Sequence, residues 1–213
     1  MPLSSTLLRG GRTAAFLATG ILLASTFAGC SSGSSSSSSE SDGTKVLAAD
    51  CRNVDLSAIK NAASEISQAE LDLRAAGTSG PAFASATVVF LNKGSVFFST
   101  MATTLGTFFN DLAKATDQSD LANIINDFST TADEFTVLSA KIKSANTVTA
   151  ADIAAIMEVN TRFDKFAVAV GSGSPSGDML KEIPDCKTFL RELDLATQAI
   201  SAADGTDELD GAN

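Results

Sequence analysis

The chain has no histidine, no tryptophan and no tyrosine among its 213 residues. The lack of histidine excludes nucleophile pairs of the Ser-His or Cys-His type and removes the commonest metal-binding side chain. All 13 aromatic residues are phenylalanine, which has no polar group and prefers a protein core. Without tryptophan or tyrosine, the usual stacking platform for sugar rings is also missing. These absences disfavour an enzyme, and we expect no catalytic residue, no metal site and no cofactor.

Basic residues are also few. Fifteen lysines and arginines stand against 25 acidic residues, which gives a net charge of −10. Without Arg9 and Arg12 of the N-terminal segment, 13 basic residues remain and the net charge is −12. Nucleic-acid binding is disfavoured, because it depends on lysine and arginine displacing counterions from phosphates. The same charge disfavours a domain lying flat on an anionic bilayer.

The first 29 residues have the pattern of a secretory signal. Arg9 and Arg12 are their only charges, an apolar run extends from Ala14 to Phe27, and the small residues Ala28 and Gly29 follow. The run is shorter than the roughly 20 apolar residues that a membrane-crossing helix needs. The pattern therefore predicts a signal peptide over residues 1–29. The alternative is an uncleaved signal anchor.

The end of this segment, Phe27-Ala28-Gly29-Cys30, resembles the lipobox of bacterial lipoproteins. The resemblance implies cleavage before Cys30, a diacylglyceryl thioether on its thiol and often a further acyl chain such as palmitate. More than one chain is needed for stable anchoring. It also implies an extracytoplasmic protein of the cell envelope. The anchor would lie in the cell membrane, or in the outer membrane of a two-membrane cell.

Cysteine is scarce, with three residues in the whole chain. If Cys30 carries lipid, Cys51 and Cys186 remain as an even pair in an oxidising compartment. We therefore predict one disulfide between them, the alternative being two buried free thiols. Such a bond would close a loop of about 135 residues, which the chain-entropy model values at about 4–5 kcal/mol.

Composition divides the rest of the chain. Residues 30–50 begin with a serine tract that has nothing to bury, so we predict a flexible tether there. Residues 51–203 carry helical periodicity and are predicted to form one domain. Residues 204–213 are acidic and lack apolar periodicity, which predicts a disordered tail.

Apolar residues in the domain recur at steps of three and four, and no strand alternation is present. Breaks rich in glycine and proline separate the segments at residues 77–81 and 171–177. Asp117 or Ser119 is expected to cap the third helix, and Thr149-Ala150-Ala151-Asp152 resembles a capping box. We predict an all-α single domain, an up-down antiparallel bundle of four to five helices.

Phenylalanine stripes on these helices have two readings. The first is a filled core, the usual fate of an amphipathic face. The second is an apolar pocket for a lipid-like ligand, with Gly94 and Gly106 leaving space opposite the rings. Asn160 either fixes helix register or forms a polar floor of that pocket. The pocket would be lined by Phe83, Phe90, Phe97, Phe98, Met101, Phe108, Phe128, Phe135, Asn160 and Phe163.

The sequence therefore supports three hypotheses of unequal weight. The first is a membrane-anchored, non-enzymatic cell-envelope lipoprotein that acts as an interaction or structural module with an unidentified envelope protein as partner. The second is a carrier or sensor of a small apolar ligand held among the phenylalanines. An enzyme is the weakest, because it would need a carboxylate pair with raised pKa values in a cleft, and no spacing indicates one.

Overall fold

The computed structural model describes residues 42–170 and 173–201, and within them it leaves aside the side chains at 160, 161, 163, 164, 167 and 197–201. In the described ranges the chain contains helices and no strands, which confirms the all-α prediction. Seven helices follow one another: α1 (Asp42–Asn53), α2 (Ser57–Ala75), α3 (Gly80–Thr116), α4 (Asp120–Ala145), α5 (Ala150–Val170), α6 (Pro175–Glu182) and α7 (Pro184–Ser201).

Two of these helices were not expected. Residues 42–50 were assigned to the tether, but they form most of α1, and Leu47 is fully buried. The helical domain thus begins at Asp42 and not at residue 51. Helix α1 has only two buried residues, so it lacks the repeating stripe by which the other helices were recognised. The second half of the predicted break at residues 171–177 belongs to the two-turn helix α6, which extends from Pro175 to Glu182.

Helix α3 is the centre of the domain. Its 37 residues span about 55 Å at 1.5 Å per residue. It packs against α1, α2, α4 and α6, and phenylalanine rings join it to α5 and α7. By length and composition it could cross a membrane, a test that buried core helices also meet. Twelve of its residues are buried: Ala84, Thr87, Phe90, Leu91, Gly94, Phe97, Phe98, Met101, Leu105, Phe108, Phe109 and Leu112.

Contacts between side chains fix the direction of several neighbouring helices. Helices α3 and α4 are antiparallel, because Phe90 contacts Phe135 while Phe98 contacts Phe128. Helices α4 and α5 are antiparallel as well, since residue 141 pairs with 152 and residue 127 with 165. Helix α1 runs against α3, with Gly43 near Ala115 and Asp50 near Asp111.

The ends of the helices follow local chemistry. Asp117 and Asn146, both with φ of 52°, end α3 and α4 in the left-handed region that aspartate and asparagine tolerate. The expected cap of α4 is wrong, because Asp117 ends the preceding helix and Ser119 makes no capping hydrogen bond. The capping box of α5 is confirmed: the backbone N–H of Thr149 donates to Asp152 Oδ2 at 2.8 Å.

Candidate functional site

The disulfide junction joins the first and last described helices. Cys51 lies in the last turn of α1 and Cys186 in the first turn of α7, and their sulfur atoms are bonded. The predicted pairing is therefore confirmed. Both residues are buried, and Cys186 Sγ lies 3.6 Å from the carbonyl oxygen of Leu47. The bond thus ties the start of the domain to its C-terminal helix.

Exposed ion pairs flank the disulfide. Arg52 donates to Asp185 at 2.6 Å, and Lys60 donates to Glu192 on the next turns of α2 and α7. The Arg52 side chain is 57% exposed, and solvent screens such pairs strongly. The disulfide and the buried Leu47 therefore contribute more than these charges to holding the junction together.

Two carboxyl groups face each other on the α3 side of α1. Asp50 lies against Asp111, and one Asp50 oxygen, Oδ2, is buried without a hydrogen-bond partner. Burial raises the pKa of Asp50, and the nearby Asp111 carboxylate raises it further. Lys114 opposes the shift and donates to Asp111 at 2.7 Å. A side-chain hydrogen bond with Asp111, which needs a proton on one of the two carboxyl groups, also raises the pKa of Asp50.

The predicted pocket residues on α3 and α4 are buried, with the exception of Phe83, and most of their rings contact one another. Ring contacts run without a break from Phe90 through Phe135, Phe98, Phe128, Phe166, Phe109 and Phe108 to Phe189. This network, the phenylalanine ladder, crosses α3, α4, α5 and α7. Phe97 packs edge-on against Phe98, and Met101 is fully buried. Because these rings pack on each other, they favour the filled-core reading.

The two glycines proposed to leave space have different surroundings. A Cβ atom at Gly94 would lie 2.6 Å from two ring carbons of Phe135, so that ring already fills the place of the missing side chain. At Gly106 a Cβ atom would meet nothing within 4 Å. Gly94 therefore allows a close approach of α3 and α4, whereas Gly106 borders open space.

One predicted pocket residue on α3 lies apart from the ladder. Phe83, near the start of α3, is only partly buried and is not part of the apolar core. The buried seam of α3 begins at Ala84, and Phe83 lies at its edge. The side chains of Asn160 and Phe163 lie outside the described residues, as does the lipidation residue Cys30.

Buried polar residues on the helical stripes have local partners. Thr87 Oγ1 donates to the carbonyl oxygen of Phe83 at 2.7 Å. Thr131 Oγ1 donates to the carbonyl of Asp127 and accepts from Arg162 at 2.8 Å. Arg162 also forms a two-point contact with Glu134, which raises the pKa of Arg162. The contacts of Arg162 with Thr131 and Glu134 connect α4 to α5. The hydroxyl groups of Thr87 and Thr131 both donate to backbone carbonyl groups, so neither is directed at a ligand.

Asp152 is the most buried carboxylate of the α4–α5 connection, at 2% exposure. It accepts from Lys141 at 2.6 Å, from the Thr149 hydroxyl at 2.7 Å and from the Thr149 backbone. The hydrogen bond from Lys141 is the main reason why the pKa of Asp152 lies below its usual value of 3.8, with Thr149 adding to the effect. The carboxylate therefore has a structural role at the start of α5.

The acidic residues on the exposed face of α2 are paired with neighbouring side chains. Glu65 pairs with Lys93 at 2.8 Å, and Asp72 accepts from Gln68 at 3.0 Å. Across the described ranges, no group of three or more Cys, Asp or Glu side chains is placed to hold a metal ion.

No protein-family model, no curated protein and no solved structure matches this chain. Inferences about the site therefore depend on its own residues.

Proposed function

We propose that this protein is a lipid-anchored, non-enzymatic lipoprotein of the cell envelope, and that its helical domain acts as an interaction or structural module outside the cytoplasm. The supporting sequence features are the signal pattern of residues 1–29 and the Cys30 context. The observation that carries the proposal is the Cys51–Cys186 bond. It fits an oxidising compartment, and it leaves Cys30 as the one cysteine for a lipid.

The position of α1 supports an anchored arrangement. The domain begins at Asp42, twelve residues after Cys30, and Gly43 lies beside Ala115 near the end of α3. The tether would therefore enter at the end of the domain where α3 gives way to α4. The loops at residues 76–79 and 146–149 lie at the other end of α3 and would face away from the membrane.

We further propose that α2, α3, α4, α5 and α7 form an up-down bundle, with α1 and α6 packed on it. The antiparallel pairs α3–α4 and α4–α5 support this arrangement. A bundle of this kind presents long side faces as well as its far end to an envelope partner. The carboxylates of Glu65, Asp72 and Asp152 are held by hydrogen bonds to neighbouring side chains, which supports a non-enzymatic role.

Lipidation is tested with the native protein and a Cys30→Ser variant. Metabolic labelling with palmitate and intact-mass analysis should show acyl chains on the native protein, a new N-terminus at Cys30 and the loss of two protons in the disulfide. A Ser31→Ala variant is the matched control and should stay acylated. An unmodified N-terminus at Met1, or a Cys30→Ser form that still fractionates with membranes, would refute the anchor.

The partner is tested by crosslinking in whole cells. Reactive groups placed at exposed Val137 and Val168, which are 70% and 72% exposed, should capture an envelope protein reproducibly. The same groups in a form lacking the anchor should capture less of it. If no variant captures an envelope protein above background, the interaction role is lost.

The carrier of a small apolar ligand is the weaker hypothesis, because the ladder rings contact one another and Phe135 fills the space beside Gly94. Mass spectrometry of lipids extracted from protein purified in its native form tests it. A stoichiometric lipid that is not attached to Cys30 would favour the carrier over the interaction module.

A further inference from the structure

Helix α1 has few buried side chains. Of its twelve residues only Leu47 and Cys51 are buried, and Val46 is 45% exposed. Ala48 packs partly against the core, and Gly43 approaches Ala115. Before Cys51, a single fully buried apolar side chain thus holds the helix in place.

One polar contact of this segment brings two carboxyl groups together. On the α3 side Asp50 lies against the carboxyl group of Asp111, with Lys114 beside it. On the α7 side the charged group near α1 is Asp185, and its partner Arg52 lies beyond the disulfide-bonded residue. Separating residues 42–50 from α3 would relieve the carboxyl contact and would leave the Arg52–Asp185 pair intact.

The disulfide sets a limit to such a separation. Cys51 is held covalently to α7, and Lys60 at the start of α2 also pairs with α7 through Glu192. Undocking that starts at Asp42 therefore stops at Cys51. Helices α2 to α7 keep their packing, because the phenylalanine ladder contains no residue of α1.

We propose that residues 42–50 are a releasable extension of the tether, which undocks from α3 and α7 while the Cys51–Cys186 bond keeps the rest of the domain folded. The use of this device rests on the proposed anchoring at Cys30. Twelve residues from Cys30 to Ser41 reach about 40 Å when extended, and the nine released residues bring the reach to about 70 Å. The anchored domain can then extend to two distances from the membrane, the shorter one with α1 docked and the longer one with residues 42–50 released.

Hydrogen exchange followed by mass spectrometry on the full mature protein in detergent tests this device. The backbone amides of residues 46–50 have partners inside α1, whereas the first four amides of a helix do not. We expect the amides of residues 46–50 to exchange much faster than those of residues 97–112 in α3, through an opening that leaves α2 to α7 protected. Exchange of both segments at one common rate, through global unfolding, would overturn the proposal.

A pair of variants identifies the cause of the opening. Asp50→Asn removes the charge that faces Asp111 and should slow exchange of residues 46–50 by about two- to fivefold, the range for one partly screened charge contact. Asp133→Asn removes one exposed charge from α4 and should leave this rate unchanged. Equal effects of the two variants would contradict the proposal.

The outcome is separable from that of the proposed anchoring. Undocking depends on contacts inside the domain, so a Cys30→Ser form should show the same exchange in residues 46–50 as the native protein. Loss of acylation without a change in exchange would refute the anchor and keep the releasable helix. Slow exchange of the amides of residues 46–50 in an acylated protein would keep the anchor and refute the releasable helix.

Discussion

The α3–α4 seam and the α1–α7 side of the domain are held by different means. Between α3 and α4, buried rings and the close approach at Gly94 form continuous apolar contact, and Ser95 donates to the carbonyl of Ala132 across the seam. Between α1 and α7 the main tie is covalent, with exposed ion pairs around it. The α3–α4 seam depends on the fit between its side chains, whereas the α1–α7 side depends on a disulfide bond. Changes in packing should therefore affect the seam, and reduction of the disulfide should affect the α1–α7 side.

The largest effect is expected from a ring inside the ladder. Phe128→Ala should lower the free energy of unfolding by about 3–5 kcal/mol, because the lost ring is fully buried and leaves a cavity. Phe83→Ala is the matched control on a partly buried ring and should cost less than about 1 kcal/mol. Urea denaturation measures both. Equal costs would mean that the ladder is not the centre of the core.

Removal of the disulfide should have the next largest effect. A Cys51→Ser, Cys186→Ser double variant should lose about 2–4 kcal/mol, because the unfolded chain regains the freedom of a loop with a sequence separation of 135. The loss should appear first as faster exchange in α1 and α7, with the α3–α4 seam still protected. If the seam opens at the same rate, the two regions are not distinct.

Glycine substitutions in α3 should have opposite signs at two positions. Gly94→Ala should destabilise the protein by about 1–2 kcal/mol, since its Cβ atom would overlap the Phe135 ring. Gly106→Ala should stabilise it by about 0.5–1 kcal/mol, because alanine favours the helix and the space is open. Thermal unfolding of both variants measures the difference. A stabilising Gly94→Ala would contradict the close approach.

The smallest effects concern pH, and two carboxyl groups, Asp152 at the start of α5 and Asp50 between α1 and α3, should respond with opposite signs. Asp152 has a lowered pKa, so its contribution is complete above its usual value of 3.8 and is lost as the pH falls through the lowered one. Asp50 has a raised pKa, so the folded state binds its proton more tightly, and stability rises as the pH falls from neutral towards 3.8.

Urea denaturation at several values between about pH 7 and about pH 3 measures these opposed contributions. Asp50→Asn should flatten the upper part of the stability profile, and Asp152→Asn should flatten the lower part. A profile that neither variant changes would show that other carboxyl groups control the response.

Much of the fold could be predicted because its cause is local. The stripe that runs from Leu121 to Ile142 on α4 and the capping box at Thr149 and Asp152 are written in consecutive residues, and the structure has both. The disulfide was predictable for a different reason, since only two cysteines remain once Cys30 is set aside. The predicted leader, lipidation residue and tail lie outside the described residues and stay predictions.

The candidate site was harder to predict because its features depend on partners far along the chain. Helix α1 has no stripe of its own, and Leu47 becomes a core residue only because α3 and α7 cover it. The carboxyl contact of Asp50 with Asp111 joins residues of different helices and leaves no pattern in either. The point at which the buried seam of α3 begins, next to Phe83, and the role of Gly94 likewise depend on the position of α4.

Periodicity and composition alone determined that this chain is helical, strongly acidic and poor in catalytic groups, because each of these properties belongs to single residues or to their nearest neighbours. The tertiary structure decided which glycine admits a ring, which carboxylates meet and where the first helix docks. Those outcomes depend on the distance between side chains that are up to 135 positions apart in the chain, as Cys51 and Cys186 are.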